Sequence, residues 1–232
     1  MNKVMQVYRL LSDHFGPTDW WPAESKFEMM IGALLMSQTS WRNVERAIRN
    51  LKERGMLSPA GIAKTRLETL TRLVRPAGLY RSKPRRLREF SRHILNETGG
   101  DVDAFLRRDP RMLREELLSM EGVGAETADS ILLYAAGARV FVVDAYTRRI
   151  AKRVGLFILD DYARVQAFFQ KNVSGGVEVY REYHALVVLL AKEICRPRPR
   201  CDVCPLAGIC DYARATKARL QPPKMRKRRS RV

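Results

Sequence analysis

The carboxylate of Asp144 stands where the sequence makes a negative charge costly. It follows the apolar residues 140–143 and precedes residues 146–149, which begin a basic helix. A carboxylate at the end of an apolar run is expected to be partly buried, and a buried charge is costly unless other groups compensate for it. Asp144 therefore either caps the helix that follows it or serves chemistry as a fixed negative charge.

Four thiols form the second group of residues that could do chemistry. They are the only cysteines in the chain and fall within sixteen residues, with the spacing C-x5-C-x2-C-x5-C. The four are Cys195, Cys201, Cys204 and Cys210. Clustered thiols in a cytosolic protein favour a metal over disulfides. The spacing alone is compatible with zinc or with a [4Fe–4S] cluster.

A pair of helices is predicted to position Asp144. Residues 121–124, EGVG, have apolar residues at helical spacing on both sides, and two helices joined by so short a turn form a tight αα-hairpin. Gly122 and Gly124 suit a turn that needs positive φ or close backbone approach. The second helix would begin at about Ala125, and its free N–H groups and dipole would bind a phosphate oxygen. An ordinary helix C-cap is the alternative interpretation of this turn.

Together these motifs resemble those of the helix-hairpin-helix DNA glycosylases of the endonuclease III family. The turn Gly122-Val123-Gly124 matches the family's hairpin, and Asp144 matches its catalytic aspartate, twenty residues beyond the turn. The cysteines match its C-terminal cluster loop, with one residue fewer in the first gap. The resemblance covers most of the chain. It implies that Asp144 is catalytic, that the turn contacts DNA, and that the cysteines hold a structural [4Fe–4S] cluster.

The resemblance also implies a reaction. The family flips a damaged base out of double-stranded DNA and excises it. Its bifunctional members use a lysine two residues after the hairpin, but this position is Glu126, and no lysine lies between Lys83 and Lys152. We therefore expect a monofunctional glycosylase. Glu126 and the Trp-Trp-Pro loop are most similar to the 3-methyladenine glycosylase-like branch, which predicts alkylated purines as substrates. The alternatives are an endonuclease III-like glycosylase for oxidised pyrimidines with AP lyase activity, and a non-catalytic binder of distorted DNA.

Further contacts to the base and to DNA are predicted. Trp20 and Trp21 would line a pocket for the flipped base, with core packing as the alternative. Glu126 would contact the base or only complement the helix dipole. Gln38 matches a family residue that fills the gap left in the duplex, with a loop cap as the alternative. Three arginines that alternate with prolines suit phosphate contact. These arginines are Arg196, Arg198 and Arg200.

The whole sequence predicts a basic all-α protein, and the resemblance implies two helical domains with a cleft between them. The formal net charge of +18 over 232 residues favours a polyanionic partner. We expect a six-helix domain over residues 23–137, with the hairpin at about 112–136, and an iron–sulfur domain over residues 1–22 and 138–212. Residues 213–232 contain nine Lys or Arg and no acidic residue, which predicts a disordered basic tail.

No apolar run approaches the length of a membrane span, and the N-terminal residues lack the apolar core of a signal peptide. We therefore expect no membrane partner, and a monomer in the cytoplasm that associates with the nucleoid of a prokaryote.

Overall fold

The structure, a computed structural model, describes residues 2–18, 20–156 and 161–220. Within these ranges the backbone forms thirteen α-helices and no β-strand, so the predicted all-α class is confirmed. The helices are α1 (Lys3–Phe15), α2 (Lys26–Leu35), α3 (Trp41–Glu53), α4 (Pro59–Lys64), α5 (Leu67–Val74), α6 (Lys83–Thr98), α7 (Val102–Leu106), α8 (Pro110–Ser119), α9 (Ala125–Ser130), α10 (Ala145–Val154), α11 (Tyr162–Asn172), α12 (Val177–Glu193) and α13 (Asp211–Leu220). Ile131–Ala135 continue α9 as a π-helical turn.

Polar caps and prolines define several helix starts. Ser58 precedes Pro59 at the start of α4, and its hydroxyl accepts a hydrogen bond from the N–H of Gly61. Asp109 precedes Pro110 at the start of α8, and its carboxylate accepts hydrogen bonds from two backbone N–H groups of the first turn. Proline is well tolerated here because the first N–H of a helix has no helical partner.

Residues 23–137 contain eight α-helices, α2 to α9, where the apolar pattern predicts about six. One reason is that α7 is only five residues long. Helices this short span fewer than two turns, so they leave too few apolar residues for a periodic pattern.

Two clusters of buried apolar side chains organise the fold. The first cluster is drawn from residues 27–135 and is centred on α2, of which all residues except Lys26 are buried. The second cluster combines α1 with residues drawn from 133–213. Tyr134, in the π-helical turn after α9, packs against both clusters. The second hairpin helix and its extension therefore run along the junction of the two clusters.

The C-terminal helix differs from the prediction. Residues 213–220, expected to be part of a disordered tail, belong to α13. The reason is burial: Ala213 is 1% exposed and packs into the second cluster beside Leu206 and Cys210. The rest of the predicted tail, residues 221–232, lies outside the described residues. No helix in the described part of the chain has both the length and the apolar character that a membrane crossing requires.

Candidate active site

A cleft of about 490 Å³ opens where the two clusters meet. This volume is in the usual range of ligand sites in proteins. Its walls come from the end of α2, the hairpin, the start of α10 and one face of α12. The lining residues that concern the site are Trp21, Gln38, Gly122, Gly124, Glu126, Asp144, His184, Val188 and Lys192.

Asp144 is both a helix N-cap and a buried charge beside the cleft, the two roles that its sequence position suggests. It is the N-cap of α10, and its Oδ1 accepts a hydrogen bond of 2.6 Å from the N–H of Thr147. The residue is 8% exposed and lies in the wall of the cleft. One carboxylate oxygen is thus occupied by the cap, which fixes the side chain, while the group remains next to the space where a substrate would bind.

His184 on α12 is a partner of Asp144 that sequence reasoning missed. Its Nε2 lies 3.7 Å from Asp144 Oδ2, and its Nδ1 lies 2.7 Å from the hydroxyl of Tyr134. The sequence favours a core or helix role for this histidine, and it is indeed buried, but in the cleft wall. His184, Val188 and Lys192 follow each other at steps of four, and therefore share one face of α12. His184 and Lys192 flank the apolar Val188 on this face, and these two polar residues are the sequence feature that could have indicated a cleft wall.

The pKa values of the cleft residues move in opposite directions. Burial by itself raises the pKa of Asp144, but His184 and the N–H of Thr147 outweigh it, so the pKa of Asp144 is lowered. Burial, and then the charge of Asp144, raise the pKa of Glu126. Burial lowers the pKa of Lys192, against the attraction of Asp144 and Glu45. Asp144 is therefore the cleft carboxylate held in its charged form, as pairs of carboxylates with distinct roles require.

The two glycines of the hairpin turn have different reasons to be glycine. Gly122 has φ +78°, and a Cβ at this position would overlap the guanidinium of Arg86. Gly124 is the N-cap of α9 with φ −90°, and a Cβ there would meet no atom within 4 Å. Gly122 thus has the positive φ that the turn is expected to need, whereas Gly124 has an ordinary φ and leaves open space in which another molecule could approach the backbone. Val123 between them is 6% exposed and packs into the first cluster.

Two exposed loops, of which the one with Gln38 lines the cleft, hold residues in unusual backbone conformations. Gln38 and Leu79 are the non-glycine residues of the described chain with positive φ, at 53° and 45°. The ammonium of Lys83, which is 1% exposed, donates hydrogen bonds to the carbonyls of Ser37 and Ala77 and so links both loops. Such strain persists only where surrounding contacts enforce it, and it is typical of functional sites. The sequence did not single out Leu79 because a positive φ at leucine leaves no compositional mark.

The two tryptophans of the N-terminal loop occupy different places. Trp21 lines the cleft and packs at its other side against Gly32, where its Nε1 would be 3.4 Å from a Cβ. Trp20 does not line the cleft. It contacts the rings of Trp21 and Trp41, and the ammonium of Lys192 lies 5.2 Å from its ring centroid. The structure brings only Trp21 together with Asp144.

The four thiols lie in the segment between α12 and α13. Cys195 and Cys210 are buried, and Cys201 and Cys204 are partly buried. Burial, and then the neighbouring cysteines, raise the pKa of the Cys204 thiol to about 11. Within the described residues, no three or more thiol, imidazole or carboxylate groups are arranged as a metal site. All four cysteines nevertheless belong to the second cluster or pack against it, and a soft cation would stabilise thiolates so placed.

The arginines of this segment are exposed at its surface. Arg196 donates from Nε to the carbonyl of Lys192, and Arg200 donates from Nη2 to the carbonyl of Glu193. Both therefore bond to the last turn of α12, whose carbonyls lack helical partners. Arg198 between them is exposed as well. The side chains thus leave positive charge on the surface beside the end of α12.

An all-helical fold with a helix-turn-helix hairpin, beside a cleft that holds a buried ionised aspartate, defines a helix-hairpin-helix DNA repair protein. Residues 31–174 match the family described as HhH-GPD superfamily base excision DNA repair protein. The match covers more than half of the chain and includes the hairpin and Asp144. The protein belongs to this superfamily, and the predicted family is confirmed.

Individual relatives agree with this assignment. A Methanocaldococcus jannaschii protein classed as a DNA repair glycosylase is 43% identical over 211 residues, which cover 89% of this chain and 95% of the relative. The crystal structure of the Helicobacter pylori 3-methyladenine DNA glycosylase bound to 1,N6-ethenoadenine has a TM-score of 0.73 at 28% identity, covering 82% of this chain and 97% of that one. A non-covalent endonuclease III–DNA complex has a TM-score of 0.79 at 24% identity, covering 94% and 100%, which supports the fold.

Proposed function

We propose that the protein is a monofunctional DNA glycosylase that flips an alkylated purine out of double-stranded DNA and hydrolyses its N-glycosidic bond. The observation that supports this most strongly is Asp144. Its carboxylate is buried in the cleft wall, held by the N–H of Thr147, and kept ionised by its surroundings. A charge so placed can act on a substrate that develops positive charge.

The chemistry assigned to Asp144 is electrostatic. When the base departs, the deoxyribose gains oxocarbenium character, which a fixed carboxylate stabilises. The carboxylate also orients the water that attacks the sugar carbon. His184 and Thr147 keep Asp144 in place and charged. Extrusion of the base costs a few kcal/mol, and least for a damaged base.

An alkylated purine suits the charges and surfaces of the cleft. Alkylated purines such as 3-methyladenine are positively charged, and their glycosidic bonds are weakened. Trp21 offers an aromatic face for cation–π contact, and Asp144 and Glu126 add two carboxyl groups to the lining. The H. pylori relative, a 3-methyladenine glycosylase, supports the same substrate class. Trp20, behind Trp21, would support the pocket without touching the base.

The proposed DNA interface surrounds the cleft. The turn Gly122-Val123-Gly124 and the first N–H groups of α9 would bind a phosphate, and the open space at Gly124 leaves room for a DNA strand. Gln38 would enter the duplex where the base leaves. The exposed Arg196, Arg198 and Arg200 would contact phosphates on the other side of the cleft. The predicted basic tail would add salt-sensitive affinity.

A [4Fe–4S] cluster is the proposed ligand of Cys195, Cys201, Cys204 and Cys210. Four thiols within sixteen residues that share the second cluster of buried side chains fit such a ligand, which would brace the segment that carries the arginines. The purified protein should be brown and contain iron and sulfide. A colourless protein with stoichiometric zinc would contradict this assignment.

A second candidate is an endonuclease III-like glycosylase for oxidised pyrimidines with AP lyase activity. One observation favours it: Lys192 lines the cleft, and burial lowers the pKa of its amine. An amine with a lowered pKa is a better nucleophile toward an abasic sugar. Against this candidate, Glu126 occupies the position at which the bifunctional members of the family have their catalytic lysine.

The two candidates differ in the base they release. The protein is incubated with a duplex that contains 3-methyladenine and with one that contains an oxidised pyrimidine, and the free bases are separated by chromatography. Release of the alkylated purine alone supports the proposal. Release of the oxidised pyrimidine would support the second candidate instead. Release of neither base would contradict both candidates.

A further inference from the structure

We propose that Asp129 is a positioning residue that holds Asp144 in register with the hairpin through Tyr162 and Gln166. The inference rests on the proposed function, because it assigns a task within the same site. Asp129 lies on α9, one turn after the hairpin turn. Its side chain is 0% exposed, and it is not part of the cleft lining. A carboxylate buried at such cost requires a reason other than contact with the substrate.

Four hydrogen-bond donors converge on Asp129. Arg114 on α8 donates from Nε to Oδ1 at 2.7 Å and from Nη2 to Oδ2 at 3.1 Å. On α11, the hydroxyl of Tyr162 and the Nε2 of Gln166 donate to Oδ2 at 2.8 and 2.7 Å. A carboxylate accepts about four hydrogen bonds, so this one is saturated. An asparagine would present an NH2 group to some of these donors.

The two α11 side chains continue to the backbone that precedes Asp144. Gln166 Nε2 also donates to the carbonyl of Phe141 at 2.8 Å, and the hydroxyl of Tyr162 accepts from the N–H of Val143 at 3.4 Å. Gln170, one turn further, accepts from the N–H of Phe141 at 3.2 Å. Residues 141–143 are buried and lack regular secondary structure, so their polar backbone groups depend on side-chain partners.

These contacts form one continuous path from the hairpin to the catalytic carboxylate. Asp129 is part of α9, and the first turn of α9 is the proposed phosphate-binding site. Tyr162 and Gln166 are oriented by Asp129 and in turn fix residues 141–143, which end at Asp144. The path therefore sets the distance between the proposed phosphate-binding site on α9 and the carboxylate of Asp144, which acts on the sugar. A displacement of about 1 Å in such a site can reduce the rate by 100-fold.

Tyr162→Phe tests the inference with the loss of one hydroxyl group. Tyr183→Phe is the matched control, because it keeps the ring that packs against Phe141 and removes only a buried hydroxyl that donates to the carbonyl of Val4 at 2.8 Å. For each variant, the single-turnover excision rate, the dissociation constant for duplex DNA and the hydrogen exchange of residues 141–145 are measured. Temperatures well below the unfolding midpoint of each variant remove global unfolding from the comparison.

We expect Tyr162→Phe to lower the excision rate about tenfold or more, with the dissociation constant within twofold of the wild type. Amide exchange at Val143 should rise, and Tyr183→Phe should leave rate and exchange unchanged. The inference is overturned if Tyr162→Phe keeps the wild-type rate, or if rate and affinity fall together. If the wild-type protein excises no base, the proposed function fails, and unchanged exchange at Val143 would then separately overturn the positioning role.

Discussion

Two buried carboxylates, only fifteen residues apart in sequence, have opposite surroundings. Asp129 is 0% exposed and receives hydrogen bonds from Arg114, Tyr162 and Gln166. Asp144 is 8% exposed, receives one backbone hydrogen bond from Thr147, and faces His184 at 3.7 Å in the cleft wall. A saturated carboxylate has no capacity left for a substrate, whereas a partly satisfied one does. The number of donors thus separates a structural role from a chemical one.

The largest effect is expected from removing the charge of Asp144, the carboxylate to which the comparison assigns a chemical role. Asp144→Asn should reduce excision by roughly 100- to 1000-fold, as for the loss of one preorganised electrostatic group, because the amide cannot stabilise a positive sugar. DNA affinity should remain. Asp101→Asn, which exchanges the N-cap of α7, is the control and should excise normally. Single-turnover excision rates and DNA dissociation constants are measured for both variants. An Asp144→Asn variant with the wild-type rate would show that Asp144 does not have the assigned catalytic role.

The structural half is tested by unfolding. Asp129→Asn should lower the free energy of unfolding by about 3 kcal/mol, because it leaves the buried side of Arg114 without its counter-charge. Asp144→Asn should change it by less than about 1 kcal/mol, since asparagine is an equally good N-cap. Urea titration of both variants gives the two values. Equal losses would mean that the number of donors does not distinguish these carboxylates.

The pH dependence tests the partner of Asp144. His184→Leu should move the acid limb of the excision rate to higher pH, because removal of the imidazole raises the pKa of Asp144, which must be ionised. Glu126 and Lys192 keep their side chains in this variant, and the pKa of Glu126 rises as well, because the charge of His184 lowers it in the wild type. Tyr134→Phe removes only the hydroxyl next to Nδ1 and should shift the limb less. An unmoved acid limb in His184→Leu would show that His184 does not control Asp144.

The same lowered pKa has a consequence for stability. Because the folded-state pKa of Asp144 is lowered, its ionised form contributes stability above the ordinary aspartate value of about 3.9. This contribution is lost as the pH falls through the lowered folded-state value. His184→Leu should reduce it, so the difference in stability between wild type and variant should be present at neutral pH and shrink in acid.

The smallest effect concerns a third carboxyl group, Glu126. Burial and Asp144 raise its pKa, whereas the pKa of Asp144 is lowered, so Glu126 becomes protonated at a higher pH than Asp144. Glu126→Gln should slow excision of cationic 3-methyladenine by less than about tenfold, or roughly 1.4 kcal/mol, and leave the neutral 1,N6-ethenoadenine unaffected. Equal effects on both substrates would mean that Glu126 does not act through charge.

The sequence predicts those features that local pattern encodes. The start of α9 at Ala125 and the N-cap role of Asp144 follow from glycine placement and from an apolar run that ends in a carboxylate. Features that depend on contacts between distant residues escape it. His184 meets Asp144 across forty residues, and an apolar helix pattern describes a cleft histidine and a core histidine equally well.

Other misses have the same physical origin. Trp20 and Trp21 are adjacent and chemically identical, yet only Trp21 lines the cleft, while Trp20 packs beside Trp41 and the ammonium of Lys192. Asp129 looks in sequence like a polar residue on a helix surface. Its burial depends on Arg114, Tyr162 and Gln166, which α8 and α11 supply.

The central claim is that Asp144 supports base removal without an amine nucleophile. The most direct measurement is the alkali dependence of strand breaks on an alkylated duplex, with borohydride present in a parallel sample. We expect breaks only after hot alkali, and no covalent protein–DNA adduct with borohydride. Breaks without alkali, or a trapped adduct that disappears in Lys192→Met, would show that an amine in the cleft takes part and would contradict the account.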